Sequence, residues 1–400
     1  MFRNAAGPPL AYLDPWCASF EERLHALVAR ERRVAYFYEQ PDAHTFRYRV
    51  FNMIEALDAQ PLLGVSAAWF THDDLERGLD FVDRSDLLVI CRTRYDQKIG
   101  QLIARAQARG IRALYDVDDL IFDLRYAHLV GDTINRPLRS SEEWDCFCGY
   151  IGRLGLTLQL CDGAITTNSY LGARVADFVP GKPVDVIPNF CNKWQAEVSR
   201  GIFQRKFDGP PQRDGKLHIG YFSGTNTHSK DFGIVVGALN RIMERHSSVV
   251  VHIVGALDQP AQLARHGERI RFLPLQDFIN LQRLQGEVEI AIAPVRENVF
   301  TNCKSELKYF EAAILGTVVI ASPTFAFRGA IKDGQNGFLA PAHQWEEKIA
   351  EASALLENGG AGYRALATRG RAEVQHRYTP DRQAEKIARV LFGEVPSEPR

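Results

Sequence analysis

Short β-branched runs separated by helical stretches recur through the first two hundred residues, break off, and begin again. The first set is RRVAYFY (32–38), VSAAWF (65–70), DLLVICR (86–92), IRALYD (111–116), DGAITTN (162–168) and VDVIPN (184–189). Between two of them, YDQKIGQLIARAQARG sets Ile99, Leu102, Ile103 and Ala106 on one helical face, and Gly110 closes it. Strand–helix–strand alternation implies a parallel sheet covered on both sides.

Around residues 196–215 the pattern stops, and RKFDGPPQRDGK (205–216) reads as a polar linker. It resumes with KLHIGYFSG (216–224), SVVVHIVG (248–255), IRFLPL (270–275), VEIAIAPV (288–295) and TVVIASPT (317–324). In HSKDFGIVVGALNRIMERH, residues Phe232, Val235, Val236, Leu239, Ile242 and Met243 form one apolar stripe. From about Gln344 the chain reads as helical, broken near Gly359–Gly360 and at Pro380. The expected fold class is α/β, with two tandem doubly wound domains. The first covers residues 1–205 and the second 206–378, with a closing helix over 379–400 packed back on the first domain. Ligands of such sheets bind beyond the carboxyl ends of the strands.

The length of 400 residues suits this two-domain reading. A formal net charge of −1 excludes a global electrostatic grip on nucleic acid. Seven scattered cysteines with no C-x-x-C pair read as reduced, buried thiols in a reducing compartment. The opening MFRNAAGPPL lacks the apolar core of a signal peptide, and no apolar run approaches the ~18 residues that cross a bilayer. A cytoplasmic location is expected, with the inner face of the cytoplasmic membrane included.

The run IRALYDVDDLIFDL (111–124) brings Asp116, Asp118, Asp119 and Asp123 to the mouth of a strand. Such a cluster serves a D-x-D phosphatase, a metal-dependent transferase, or a cleft wall that hydrogen-bonds hydroxyl groups. Turns and helix starts also favour acidic residues with no ligand involved. Against a haloacid-dehalogenase-like phosphatase, Leu120 stands where a Thr or Val belongs, and no later strand ends in an acidic pair. A D-x-D pair can hold Mg²⁺ or Mn²⁺, but transferases of that type rest on one nucleotide-binding domain. No metal requirement is expected.

In VRENVFTNCKSELKYFEAAILGTVVIASPT (295–324), a strand ends at Pro294 and a helix is expected from Cys303 or Lys304. At 100° per residue Lys304 and Glu311 are nearly eclipsed, Lys308 lies close by, and Glu306 points away. A helix start with Lys304 and Ser305 suits a pyrophosphate, and Glu311 suits paired ribose hydroxyls. The same spacing also describes an ordinary solvated helix face.

Here the chain resembles the GT-B glycosyltransferases, specifically the large retaining family 4. KSELKYFEAAILGTVVIASPTFAFRGAIKDGQNGFLA is similar to their donor-binding region. HIGYFSGTNTHSKDFGIVVGALNRI and VVVHIVG resemble the opening of their C-terminal domain, and CDGAITTNSYL and VIPNF the end of their N-terminal domain. LYDVDDLIFD is similar to a segment of a bacterial branch associated with polysaccharide and lipopolysaccharide assembly.

The resemblance implies two facing Rossmann-like domains and transfer, with retention, from a nucleoside-diphosphate sugar to a glycan or lipid-linked glycan. It implies no bound cofactor, no nucleic acid, and room for peripheral membrane contact. Carried across by position, Lys230 corresponds to a phosphate-contacting base, and Gly224 and Thr225 to the loop beneath the pyrophosphate. Glu311 corresponds to the second acid of the E-x7-E motif. The first acid falls on Cys303, which shifts its role to Asn298, Thr301 or Asn302. A family histidine near the reacting carbon is matched here by Asp118 and Asp119. These two, with Lys230 and Lys304, are the expected catalytic residues.

The first domain is expected to receive the acceptor. His44, Arg47 and Arg49 in HTFRYRVFNMIEAL (44–57) follow the first strand and suit anionic groups, as do Arg92 and Arg94 after the third. A solvated basic face fits the same pattern. Two rivals share the architecture: a sugar-nucleotide epimerase and a non-catalytic nucleotide-sugar-binding subunit. A dinucleotide oxidoreductase is disfavoured because no G-x-G-x-x-G follows either first strand.

Overall fold

The computed structural model describes residues 1–393 except 4, 6, 210, 211, 225–228, 256, 258 and 259. Its strands are β1 (Arg32–Phe37), β2 (Val65–Phe70), β3 (Leu87–Cys91), β4 (Arg112–Val117), β5 (Gly163–Thr166), β6 (Val184–Val186), β7 (Leu217–Phe222), β8 (Val249–Val254), β9 (Ile270–Leu273), β10 (Ile290–Ala293), β11 (Val318–Ala321) and β12 (Phe338–Leu339). They form two six-stranded sheets, ordered β2-β1-β3-β4-β5-β6 and β12-β11-β10-β7-β8-β9. Adjacent strands pair parallel throughout, for example Val34 opposite Leu87 and Leu217 opposite Val249. This is the GT-B architecture: two doubly wound α/β halves.

The strands follow from composition. In β3 and β8 every residue is buried, which fits runs of Leu, Val and Ile covered by helices on both faces. The helix Gln97–Ala108 buries Ile99, Leu102, Ile103 and Ala106, the stripe read from the sequence, and Asp96 caps its start. The helix Ser229–Arg245 buries Phe232, Val235, Val236, Leu239, Ile242 and Met243 in the same way.

Two differences from the sequence reading matter. Residues 193–207, next to the expected linker, form the helix Lys193–Phe207. Its buried face carries Gln195, Ser199, Ile202 and Lys206, so a polar lining hides the helical period. Lys206 Nζ donates to Thr317 Oγ1 at 2.8 Å, and burial pulls its pKa down to about 7. The second difference is β12, only two residues long.

The halves are bound together by more than the linker. The last helix, Pro380–Phe392, packs on Asn52–Asp58 of the first half. At the other end, Phe2 N–H donates to Glu287 O at 2.9 Å, so the opening residues lie on the second half. Phe300 and Cys303 complete a core otherwise built by the first half. Gly316 ends the helix Leu307–Ala313 at φ +69°, and a Cβ there would sit 2.4 Å from the Phe207 ring. Glycine lets the linker helix approach that closely. All seven cysteines are free thiols.

Candidate functional site

A cavity of about 680 Å³ lies between the two halves, at the carboxyl ends of both sets of strands. From the first half, the loop after β4 presents Asp118 and Asp119, and the loop after β3 presents Arg92. From the second, Gly224 follows β7, and Thr301, Lys304, Ser305, Lys308 and Glu311 follow β10.

The first-half wall is an ionic cluster. Arg92 Nη1 stands 3.1 Å from Asp118 and 3.6 Å from Asp119, and donates to Thr45 Oγ1 at 2.9 Å. The Thr45 hydroxyl donates to Asp118 at 2.9 Å. Burial opposes ionisation of Asp118, but Arg92, Thr45 and the more distant Arg49 and Lys304 outweigh it and hold the carboxyl below its usual range. Arg92 reaches this position with φ +40°, a left-handed conformation rare for a side chain of its size.

The second-half wall is cationic. Lys304 Nζ lies 3.3 Å from Asp119 across the cavity. Asn189 donates to Ser305 Oγ at 3.0 Å, and Asn168 holds the carbonyls of Cys303 and Lys304 at 3.0 and 3.2 Å. Lys308 sits over the Tyr221 ring at 4.8 Å, and among the described residues no carboxylate is in ion-pair range of it. Burial lowers its pKa; Asp231 opposes this and Lys304 adds to it, leaving the ammonium at about 8. Of these groups Lys308 is the one that motif reading left without a role. Its signal was three-residue spacing from Glu311 on one helix.

Several expectations are corrected. The helix carrying Glu311 begins at Leu307, with Glu306 at its cap, so Lys304 and Ser305 lie in the preceding loop. A four-residue helix, Val299–Asn302, uses up the turn before it. Lys304 and Glu311 still line one cavity, but by loop geometry and not by helical eclipse. Glu306 faces away, accepting from Tyr378 Oη at 2.6 Å.

Arg49 is not available to an acceptor. It is fully buried, with Nε and Nη2 on Asp116 at 2.8 and 2.9 Å and Nη1 on Ile187 O at 2.8 Å. Asp116 thereby leaves the cleft cluster, and Asp123 caps a turn by accepting from Arg125 N–H. Arg47 is buried too. Its Nη2 stands 3.2 Å from Glu311 Oε1, while the Tyr48 hydroxyl donates to the same oxygen. Arg47 therefore closes the interface between the halves, and Arg49 braces the first half, instead of facing solvent. His44 alone of the three is exposed; it lines the cavity opposite Gly224, and the buried Arg47 lines the cavity too. Arg94 pairs with Glu39 at 2.6 Å.

Lys230 lies outside the cavity wall. It pairs with Asp132 of the first half at 2.5 Å, and Arg296 joins the same carboxylate at 3.0 Å. Asn298 caps Val299–Asn302 and donates to Thr133 Oγ1 at 3.1 Å, so it holds the halves together and does not face the cavity. Thr301 lines the cavity, but its hydroxyl donates to Arg296 O at 2.6 Å. Asn302 accepts from Phe325 N–H at 2.8 Å. Cys303 is fully buried, its thiol pushed up to about 12 by burial and then by Asp119. Thr225 lies outside the described residues. Among the described residues no group of three or more His, Cys, Asp or Glu side chains is placed to hold a metal ion.

Residues 216–358 match the family "Glycosyl transferases group 1". A phosphatidyl-myo-inositol mannosyltransferase of Mycobacterium leprae is 27% identical over 222 residues, 51% of this chain and 57% of that protein. A D-inositol 3-phosphate glycosyltransferase of Mycobacterium marinum is 31% identical over 119 residues, 29% of this chain and 24% of that protein. The chain thus spans about half the length of the mannosyltransferases it matches. Among solved structures, a glycosyltransferase from Rickettsia africae superposes with a TM-score of 0.60 at 12% identity, over 89% of this chain and 97% of that one. Anabaena HepE in complex with UDP and glucose superposes at 0.57 and 13% identity, over 90% and 99%.

Proposed function

We propose that this GT-B chain, whose residues 216–358 form a group 1 glycosyltransferase domain, moves a sugar from a nucleoside-diphosphate sugar to a glycan or glycolipid acceptor with retention. The observation that carries the reading is the cavity between the halves. There Lys304 and Lys308 stand beside Ser305 and Glu311, facing Asp118 and Asp119. Two ammonium groups and a hydroxyl suit a diphosphate, and a carboxylate suits ribose hydroxyls. UDP is the first base to try, since HepE binds it. The mannosyltransferase relatives make an inositol-containing or lipid-linked acceptor the first choice. We place the reaction in bacterial surface glycan synthesis, in the cytoplasm at the membrane face. Among the described residues no helix is long and apolar enough to cross a membrane.

Chemically, the bond from the anomeric carbon to the diphosphate oxygen breaks as the acceptor oxygen bonds to that carbon on the same face. The acceptor proton passes to the departing phosphate oxygen, so no side-chain nucleophile is required. Lys304 and Lys308 stabilise the charge that grows on the diphosphate, and the walls hold both substrates in reach. Asp118 and Asp119, anchored by Arg92, accept hydrogen bonds from sugar hydroxyls. His44, at the open edge, contacts the acceptor.

A second reading, a nucleotide-sugar-binding subunit without turnover, draws on Cys303, which puts a buried thiol where the motif has an acid. One experiment separates the two. Nucleotide sugars are screened by thermal shift, and the stabilising donor is incubated with and without acceptor glycans. Acceptor-dependent nucleotide release, with the donor's anomeric configuration seen in the product by NMR, supports transfer. Release that ignores the acceptor, inversion, or no release contradicts it.

A further inference from the structure

Behind the cleft, a second basin of about 560 Å³ lies where the helix Lys193–Phe207 meets Ala361–Arg377 and the start of Pro380–Phe392. Four cationic side chains, Lys193, Arg200, Arg371 and Arg382, line it against two acidic ones, Glu197 and Asp381. Among the described residues none of the four forms an ion pair with either acid, or with any other. Arg371 is the unusual member. The residue is about nine-tenths buried and stacked on Phe203 at 4.1 Å, and among the described residues its one hydrogen bond is from Nη1 to Ile314 O at 3.1 Å. A partly desolvated guanidinium beside the Arg200 charge, with no carboxylate in ion-pair range among the described residues, is an arrangement that a bound anion favours. Thr379 and Gln375 add neutral polar groups, and the helix Pro380–Phe392 begins at the same basin.

We propose that this basin binds a phosphorylated anion, distinct from the diphosphate of the cleft. The site is wired to the cleft by two shared elements. Ile314, whose carbonyl holds Arg371, directly follows the helix Leu307–Ala313 that carries Lys308 and Glu311. Lys193–Phe207 borders the basin with Arg200 and reaches Glu311 from the other side with Gln195 Nε2 at 3.4 Å. An anion drawn to Arg200, Arg371 and Arg382 therefore bridges the two helices that set Glu311. The phosphate belongs either to a soluble phosphate ester or to a lipid headgroup.

The test uses the full chain in a K304M/K308M background, which removes the cleft's own cations, with inorganic pyrophosphate titrated by calorimetry. Saturable binding is expected. R200E/R382E, and separately the milder R200Q/R382Q, both exposed changes, are expected to weaken it at least about tenfold, the loss of one charge-assisted contact. Sedimentation with phosphatidylglycerol vesicles that depends on Arg200 and Arg382 assigns the phosphate to a lipid; binding without sedimentation assigns it to a soluble ester. The proposal is overturned if the K304M/K308M chain binds no pyrophosphate, or if both Arg200/Arg382 variants bind as tightly as that background. Circular dichroism and an unchanged anion-free melting midpoint guard against misfolding.

Discussion

The Arg47 guanidinium of the first half stands 3.2 Å from the Glu311 carboxylate of the second, and both side chains are buried. Two of Arg47's three nitrogens have no hydrogen-bond partner and lie against the Tyr48 and Phe278 rings instead. The pair therefore ties the carboxylate assigned to ribose to the half assigned to the acceptor. Breaking it from one side strands a buried charge. Replacing Arg47 with Met or Glu311 with Gln should each cost about 3 kcal/mol of stability, and the double variant less than the sum. Urea unfolding of the four proteins measures the coupling. Additive losses would show that the two side chains do not interact in solution.

Lys308 supplies a pH signature. Its ammonium titrates near pH 8, well below an ordinary lysine, because the folded chain desolvates it. A diphosphate favours the charged form. Affinity for the nucleotide is thus fully present below pH 8 and falls as pH rises through it. The K308M variant should bind the nucleotide more weakly, should lose this alkaline limb of affinity, and should raise the transfer barrier by about 2–4 kcal/mol. A wild-type affinity that stays flat from pH 7 to pH 10 would remove Lys308 from the site.

Lys230 and Lys304 should behave differently. Lys230 is half-buried and clasped to the exposed Asp132, a pair worth about 0–1 kcal/mol. Lys304 faces the cavity. K230M should change turnover by less than about tenfold, whereas K304M should lower it by about 10²–10³. Steady-state nucleotide release compares them directly. The reverse order would return the phosphate role to Lys230.

Asp118 and Asp119 are tested together. Changing both to Asn keeps shape and hydrogen-bonding reach but leaves Arg92 and Lys304 without their carboxylates. Turnover should fall by about 10² or more while donor binding, read by thermal shift, changes far less. Unchanged turnover would make the cluster a structural one.

Much of the fold was legible because buried parallel strands carry the densest signal in the chain. The runs at β3 (LLVIC) and β8 (VVVHIV) are nearly all apolar, and runs of this kind let both half-sheets be drawn. The helix Lys193–Phe207 escaped because Gln195, Ser199 and Lys206 fill its inner face, and no apolar stripe marks it. The site was legible in part. Asp118, Asp119, Lys304, Ser305 and Glu311 converge because each follows a strand that ends at the cleft. Arg49 and Arg47 were misread since sequence does not tell a solvent-facing cation from one buried against a distant carboxylate. Asp116 and Glu311 lie 67 and 264 residues away from them. Lys308 was passed over because its value comes from its burial in the cleft wall, which only the folded arrangement reveals.

The central claim is that a nucleoside diphosphate lies between the halves against Lys304 and Lys308. A crystal structure of the chain with the nucleotide that stabilises it most is the direct measurement. The diphosphate should stand within hydrogen-bond reach of both lysines and Ser305, with the ribose at Glu311. A nucleotide bound outside this cavity, or with its phosphates away from residues 304–308, would contradict the account.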